Sequence, residues 1–368
     1  MAEVLNFEHN GISVNATESP EAMGGLGDNV IGLVGTAPKA DPLVPRNAPF
    51  RINSFTTQAL LDPTGAEEGT LFHAVFQILK VVKVPVYVVI VEEGATPADT
   101  LNNVIGGIDP LTGRKLGLAA LSGVAEDLTI IGAPGFTGTK AVASEFASFG
   151  KRIKARVVLD GKDVAVADQV TYSQELGGAE LGFDRCLLVH NMPSVYSRAA
   201  KKSVFLSPSS LAIAALAKVK QWESPGNQVT FAEDVSRVVE YNILDSSTEG
   251  DLLNRSITGK FISYVGLEDA ISRKLVKAGQ KAMAKNLTKS FMDQEVKRIN
   301  DWLQTLVADE TIPGGSVYLH PELNSVEKYK NGTWYVVIDY GRYAPNEHMV
   351  YQLNARDEII EQFLEDVL

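Results

Sequence analysis

Apolar positions follow two different patterns between residues 30 and 220. Residues 30–36 and 85–91 are short, nearly uninterrupted apolar runs, which are typical of strands covered on both faces of a parallel sheet. Residues 70–82 and 139–153 instead place apolar side chains every three or four positions, which predicts amphipathic helices. Because the two kinds of segment alternate, the sequence predicts an α/β domain with a mainly parallel sheet and helices on its faces.

The same patterns predict further elements, whose order changes after about Asp251. Before that point the predicted strands are 128–132, 156–160 and 185–190, and the predicted helices are 96–105, 116–121 and 209–220. After it come two long helices, at 269–288 and 292–306, and two strands, at 317–320 and 334–340. This order predicts a separate α+β domain, with the loop-rich residues 224–254 as the junction.

The end of the chain is unusually apolar for a terminus. After the predicted strand 334–340 and a polar turn, residues 349–353 form a second short apolar run. Five apolar side chains then recur at helical spacing, namely Ile359, Ile360, Phe363, Leu364 and Val367. Chain ends are normally polar and frayed unless another surface holds them. The pattern therefore predicts a partner surface and points to assembly more than to catalysis.

Composition narrows the classes of protein. The chain has 368 residues, 45% of them hydrophobic, which supports two or more domains with buried cores. A formal net charge of −11 disfavours general binding to nucleic acid or anionic membranes. Cys186 is the single cysteine, so no intrachain disulfide can form, which fits a reducing compartment. The apolar region 74–91 is interrupted by Lys80, Lys83 and Pro85, so no membrane span is expected there, and the first residues lack a signal-peptide pattern.

The glycine-rich segments do not match a nucleotide-binding loop. The glycines at 24–27 precede a predicted strand, whereas a dinucleotide turn follows one. Gly132, Gly135 and Gly138 do follow a strand, but their spacing differs from G-x-G-x-x-G, and a tight strand-to-helix connection is the simpler interpretation. The sequence contains neither a P-loop nor a G-x-S-x-G motif.

Histidine and cysteine spacing predicts no metal or catalytic site. The five histidines are not spaced as local metal ligands. His190 ends a predicted strand, where parallel-sheet enzymes place catalytic groups, although a structural histidine is the favoured interpretation. Cys186 lies inside an apolar strand and is expected to pack as a small hydrophobic residue. We therefore predict no catalytic, cofactor-binding or metal-binding residues.

A basic stripe is predicted on the first long helix of the C-terminal region. Lysines recur at steps of three and four, at Lys274, Lys277, Lys281, Lys285 and Lys289. Two interpretations stay open. The stripe is either a solvated face, or a docking face for an acidic partner that would mainly set register and association rate.

Several segments, taken in order, resemble the tail sheath proteins of contractile bacteriophages and contractile bacteriocins, in the compact form without large external insertions. They are 29–38 (NVIGLVGTAP), 69–71 with 85–91, 103–107 with 113–121, 132–135 (GAPG), 222–227, 250–254 (GDLLN) with Ile257 and Thr258, and 334–368. The chain departs from this family at residues 260–267 (KFISYVGL), where many relatives carry an Arg-rich segment with Trp-Gly.

The resemblance implies a structural subunit rather than an enzyme. Such subunits form stacked hexameric rings around a tail tube, and their contraction drives the tube through the host cell envelope without a cofactor. The implied partners are further copies of the chain and the tail tube, baseplate and tail terminator proteins, without direct nucleic-acid contact or membrane insertion. The implied location is the virion tail sheath, assembled in the bacterial cytoplasm.

The resemblance also implies four parts: an N-terminal arm (1–17), an outer α/β domain (18–254), an inner α+β domain (255–348) and a C-terminal arm (349–368). The arms would add strands to neighbouring subunits. Their implied anchors are Phe7, Ile12, Val14, Val350, Tyr351, Leu353, Ile359 and Phe363. We hypothesise that Lys274, Lys277, Lys281 and Lys285 face the tube. Two alternatives remain: an α/β nucleotide-dependent enzyme with a C-terminal oligomerisation domain, and a secretion-system sheath.

Overall fold

The structure is a computed structural model that describes residues 23–161, 166–190, 194–225, 241–243, 254–280, 282–283, 285–346, 349–356 and 358–367. The strands are β1 Ile31–Thr36, β2 Phe50–Ile52, β3 Val86–Val91, β4 Gly107–Ile108, β5 Lys115–Leu116, β6 Ile130–Gly132, β7 Arg156–Asp160, β8 Cys186–His190, β9 Ser194–Ser197, β10 Lys202–Phe205, β11 Tyr241–Ile243, β12 Gly315–Leu319 and β13 Val336–Tyr340. The α-helices are α1 Phe55–Gln58, α2 Leu71–Val81, α3 Pro97–Ile105, α4 Lys140–Ile153, α5 Val166–Leu176, α6 Pro208–Lys218, α7 Ile262–Gln280, α8 Lys289–Ala308, α9 Val326–Lys330 and α10 Glu358–Val367.

The central element is a mixed sheet, to which seven strands contribute within the described residues, in the order β11-β8-β7-β6-β1-β3-β2. The five inner strands run parallel, and the two edge strands β2 and β11 pair antiparallel to their neighbours. Every residue of β1 is buried, as its uninterrupted apolar run predicts. The prediction of a mainly parallel sheet flanked by helices is confirmed in this form.

Helices cover both faces of the sheet. On one face, α2 and α6 pack against apolar side chains that include Leu33, Val88 and Val158. On the other face, α4 and α5 pack with a core that includes Val34, Ile131 and Phe146. This three-layer arrangement leaves the edges and the two ends of the strands as the places where other elements, or other molecules, can attach.

The C-terminal helices and the β12–β13 pair form a third apolar cluster around Trp302 and Leu303. The helix α7 links this cluster to the sheet. Its early residues Ile262 and Val265 pack with the core of the sheet, and its later residues Leu267 and Ile271 pack with α8. The predicted domain boundary at 254 stays a prediction.

Two local predictions are corrected. The helix expected over 269–288 starts at Ile262 and ends at Gln280, and the Thr288 side chain caps the separate helix α8 by accepting a hydrogen bond from the Phe291 N–H. The segment expected as a helix at 116–121 is a 3-10 helix, Gly117–Gly123. Residues 349–353 pair with no strand of the described residues, and their pairing with a neighbouring copy stays a prediction. No helix within the described residues is long and apolar enough to span a bilayer.

Candidate assembly surfaces

The predicted anchors near the end of the chain are exposed. Val350, Tyr351 and Leu353 retain between 76% and 94% of their accessible surface. The strand β13 pairs with β12, from Val336 opposite Leu319 to Tyr340 opposite Gly315, and the segment 349–353 forms no ladder with the other edge of β13. The predicted N-terminal anchors Phe7, Ile12 and Val14 lie outside the described residues.

The terminal helix α10 presents an uncovered apolar face. Ile359, Ile360, Phe363 and Leu364 recur at helical spacing and are 47–62% exposed. Burying one such side chain is worth roughly 1.5–3 kcal/mol, so the face would gain several kilocalories per mole from a partner. The sequence correctly predicts the apolar face of this helix, and a partner for that face stays a prediction.

The β12–β13 pair is a second open surface. Within the described residues neither strand has another strand beside it, so each offers an unpaired row of backbone N–H and C=O groups. One side of the pair packs on α8 through Val317 and Ile338, while Tyr318 and Asp339 point outward. An edge of this kind is a template for an added strand.

The predicted basic stripe does not form one helical face. Lys274 and Lys277 lie on α7, but Lys285 follows the end of that helix, and Lys281 lies outside the described residues. The Lys277 ammonium pairs with Asp127 at 2.7 Å within the chain, and Lys285 lies 6.0 Å from the Phe291 ring centroid. The lysine spacing continues past Gln280 although the helix does not. Contact between these lysines and a tail tube stays a prediction.

A polar face of α7 instead lies against the amino ends of the parallel strands. Gly266, Asp269, Arg273 and Lys277 share this face at helical spacing. The Asp269 carboxylate accepts a hydrogen bond from Arg185 at 2.6 Å, with both side chains nearly inaccessible. Burial raises the pKa of Asp269, and the charges of Arg185 and Arg273 oppose that shift. We did not predict Asp269 or Arg273, although their four-residue spacing on α7 could have drawn attention to them.

Two further polar side chains are buried beside this face. Arg156 begins β7 and donates from Nη2 to the Asn29 side-chain oxygen at 2.8 Å. Its Nη1 has no hydrogen-bond partner among the described residues. Burial and the charge of Arg273 lower the pKa of Arg156 to about 9. Buried groups of this kind hold elements in register and offer no open site for chemistry.

The candidate chemical positions of the sequence have the following places in the structure. Cys186 is fully buried, which raises the pKa of its thiol, and it packs as the expected small hydrophobic residue. The Gly135 N–H donates to Asp160 Oδ2 at 2.9 Å, so the turn after β6 is tied to the next strand. His190 closes β8 opposite Tyr241. No cluster of three or more metal-ligating side chains occurs within the described residues.

A cleft of about 410 Å³ lies near the carboxyl ends of β1 and β6. Its walls include Glu67 and His73, whose Oε2 and Nε2 atoms lie 3.4 Å apart, and Ser207. Burial lowers the pKa of His73, although Glu67 and Asp62 oppose the shift. The Arg198 backbone N–H donates to Glu67 Oε1 at 3.2 Å, so the β9–β10 hairpin is fastened to this pair.

The fold matches solved assemblies over nearly its whole length. The sheath complex of the extracellular contractile injection system PVC, in its contracted state, superposes with a TM-score of 0.68 at 13% identity, covering 97% of this chain and 100% of that one. The contracted helical sheath of the anti-feeding prophage gives 0.65 at 16% identity, covering 95% and 100%. This chain has the fold of a contractile sheath subunit.

A comparison of sequences supports the same relationship. The sheath-like chain is 23% identical to a prophage major tail sheath protein of Pseudomonas aeruginosa (strain UCBPP-PA14), over 99% of both chains. A chain of the anti-feeding prophage baseplate also superposes, with a TM-score of 0.64 at 14% identity, covering 96% of this chain and 100% of that one. No model of a known protein family matches the sequence. The resemblance to contractile tail sheath proteins is confirmed.

Proposed function

We propose that this chain is the repeating structural subunit of a contractile, tail-like sheath. The proposal rests on likeness to sheath proteins across almost the entire chain, in both sequence and fold. In the proposed assembly, copies form stacked hexameric rings around a tail tube, and contraction drives the tube through an envelope. Baseplate and tail terminator proteins would complete the particle.

The exposed end of the chain supplies a physical basis for self-assembly. We assign residues 349–368 as an arm that packs on a neighbouring copy. Val350 and Leu353 would contribute an added strand, and the apolar face of α10 would be buried beside it. The open edges of β12 and β13 are the acceptor that we propose for such a strand. The N-terminal arm, residues 1–17, would act in the same way.

The proposed mechanism requires no catalysis. Contraction would draw on better packing between subunits in the shortened lattice, so nucleotide hydrolysis is not part of the proposal. The curated relative and the solved assemblies that the chain matches are structural sheath and baseplate components. We place the protein in a phage-type tail sheath that is assembled in the cytoplasm of a bacterial host.

Negative-stain electron microscopy of the purified full-length chain tests this proposal. We expect hollow cylinders with transverse striations, formed from this chain alone or on added tube protein. Discrete small oligomers under both conditions would contradict the proposal and favour an enzyme with an oligomerisation domain.

A further inference from the structure

The residues just before β1 connect the two halves of the molecule. We call residues 23–29 the strap. Met23 and Leu26 pack against the third apolar cluster, beside Trp222. At the other end of the strap, Asn29 is buried beside the amino ends of the parallel strands. The strap therefore crosses from the C-terminal helices to the first strand.

Asn29 fastens the strap to the end of α6, to β7 and to Thr129, the residue before β6. Its side-chain nitrogen donates to the carbonyl oxygens of Ala217, at 3.2 Å, and Val219, at 2.7 Å, and approaches that of Leu216 at 3.4 Å. Its side-chain oxygen accepts from Arg156 Nη2 and, at 3.2 Å, from Thr129 Oγ1. The last carbonyls of a helix lack partners within the helix, so this amide caps α6. Because both ends of the amide are used, its orientation is fixed.

Gln221 fastens the strap to α7. Its side-chain nitrogen donates to the carbonyl oxygens of Gly27, at 3.2 Å, and Asp28, at 3.4 Å, and its side-chain oxygen accepts from Arg273. The backbone carbonyl of Gln221 also lies directly against Gly266, where an added Cβ would stand 1.8 Å from the oxygen. One residue thus touches α7 at two points, two helical turns apart, while holding the strap.

We propose that Asn29 and Gln221 are positioning residues that make the strap a tether for the N-terminal arm. A pull on the chain before residue 23 then reaches α6, α7 and the sheet together. Without these two amides, the pull would pass from the apolar contacts of Met23 and Leu26 directly to the start of β1, beginning with the hydrogen bonds between Val30 and Thr129. This inference rests on the proposed function, in which the N-terminal arm links neighbouring copies.

Hydrogen exchange of the full-length chain tests the tether. Strap exchange is read at the first hydrogen-bonded amides that follow the strap, those of Val30, bonded to Thr129 Oγ1 at 3.0 Å, and Ile31, bonded to the Pro85 carbonyl at 3.0 Å. In a Gln221→Ala variant we expect this exchange to be about tenfold faster, because the two hydrogen bonds that hold the strap are lost and the start of β1 opens more often. The matched control is Gln58→Ala, since Gln58 is also buried and donates to a backbone carbonyl, that of Phe72, at 3.0 Å. In the Gln58→Ala variant, the strap should exchange at the wild-type rate. Equal strap exchange in the two variants would overturn the proposal.

A second variant guards against general misfolding. Gln221→Glu keeps the side-chain volume and the acceptor for Arg273, loses the hydrogen bonds donated to the strap, and adds a negative charge that pairs with Arg273. It should release the strap as the alanine variant does. Wild-type strap exchange in Gln221→Glu would also overturn the proposal.

Electron microscopy of assembled particles tests load transfer separately. Gln221→Ala should give sheaths that break between rings, whereas Gln58→Ala should give sheaths of wild-type length. If Gln221→Ala gave intact sheaths despite fast strap exchange, Gln221 would have no role in transferring load from the N-terminal arm to the rest of the subunit. If the wild-type chain formed no cylinders at all, the proposed function would be wrong. The hydrogen-exchange result would still show whether Gln221 holds the strap.

Discussion

Apolar side chains are buried in the sheet and exposed at the end of the chain. Leu33 and Ile130 in the sheet are fully buried beneath helices that belong to the same chain. Leu353 and Phe363 near the terminus are mostly exposed. Because apolar surface is stabilised by removal from water, the sheet body is complete in one copy, whereas the terminus leaves apolar surface in contact with solvent. On the proposed function, folding and assembly are assigned to different parts of the sequence.

The largest expected effect comes from removing the exposed end. Deletion of residues 354–368 should leave a folded subunit that forms no sheath, because the segment contributes exposed apolar surface and no core. Circular dichroism checks the fold and electron microscopy checks assembly. A full-length variant, Ile359→Ser with Phe363→Ser, should show the same loss with an unchanged melting temperature. Long sheaths from either protein would refute the division between the two regions.

A large effect on folding is expected inside the closed region. Asp269→Asn should lower the free energy of unfolding by about 3–5 kcal/mol, because the buried Arg185 would keep only the more distant carboxylate of Asp184, at 3.7 Å, as an ion-pair partner. Denaturant titration measures this loss. Asp127→Asn is the matched control, since its pair with Lys277 is exposed and should be worth at most about 1 kcal/mol. Equal losses would show that burial does not decide the strength of these pairs.

The cleft beside β1 and β6 predicts a moderate dependence on pH. The pKa of His73 is lowered from its ordinary value of 6.5, so below that value the unfolded chain binds this proton more readily than the folded chain. The stability contribution of His73 is therefore full above pH 6.5 and declines as the pH falls toward the lowered pKa. The slope for one proton cannot exceed about 1.4 kcal/mol per pH unit. Comparing the wild type with His73→Gln should show a flatter profile in the variant; identical profiles would exclude His73 as the cause.

Only a small effect on folding is expected at the lysines. Reversing Lys277 and Lys281 to glutamate should change the free energy of unfolding by no more than about 1 kcal/mol. If these residues face the tube, the variant should fail to hold tube protein in uncontracted particles, as co-sedimentation would show. Normal uncontracted particles with tube bound would remove the hypothesis.

The elements of the sheet were largely predictable from sequence because each is a local pattern. The apolar run 85–91 corresponds to Val86–Val91, and the periodic segment 139–153 corresponds to Lys140–Ile153. The end of α7 was missed because the lysine spacing continues beyond Gln280. A glycine at 279 and a helix-capping threonine at 288 were the opposing local signals.

The polar contacts between the two halves could not be predicted in the same way. Asn29, Arg156, Arg185 and Asp269 are far apart in the sequence and meet only when the strand order of the sheet is known. Single-residue patterns carry no information about which strand ends are neighbours. The apolar face of the terminal helix was predictable, because its spacing of apolar residues can be read from the sequence without knowledge of the fold.

The open edges of β12 and β13 have a consequence for how the proposed sheath would stop growing. A strand donated by one copy to the next is a head-to-tail contact, and such contacts do not close on themselves unless the rotation between copies completes a ring. On the proposed arrangement, a row of rings would have polarity. Its first layer would carry acceptor edges without donors, and its last layer would carry donors without acceptors. The two ends of the cylinder would then be chemically different and would need two different capping proteins.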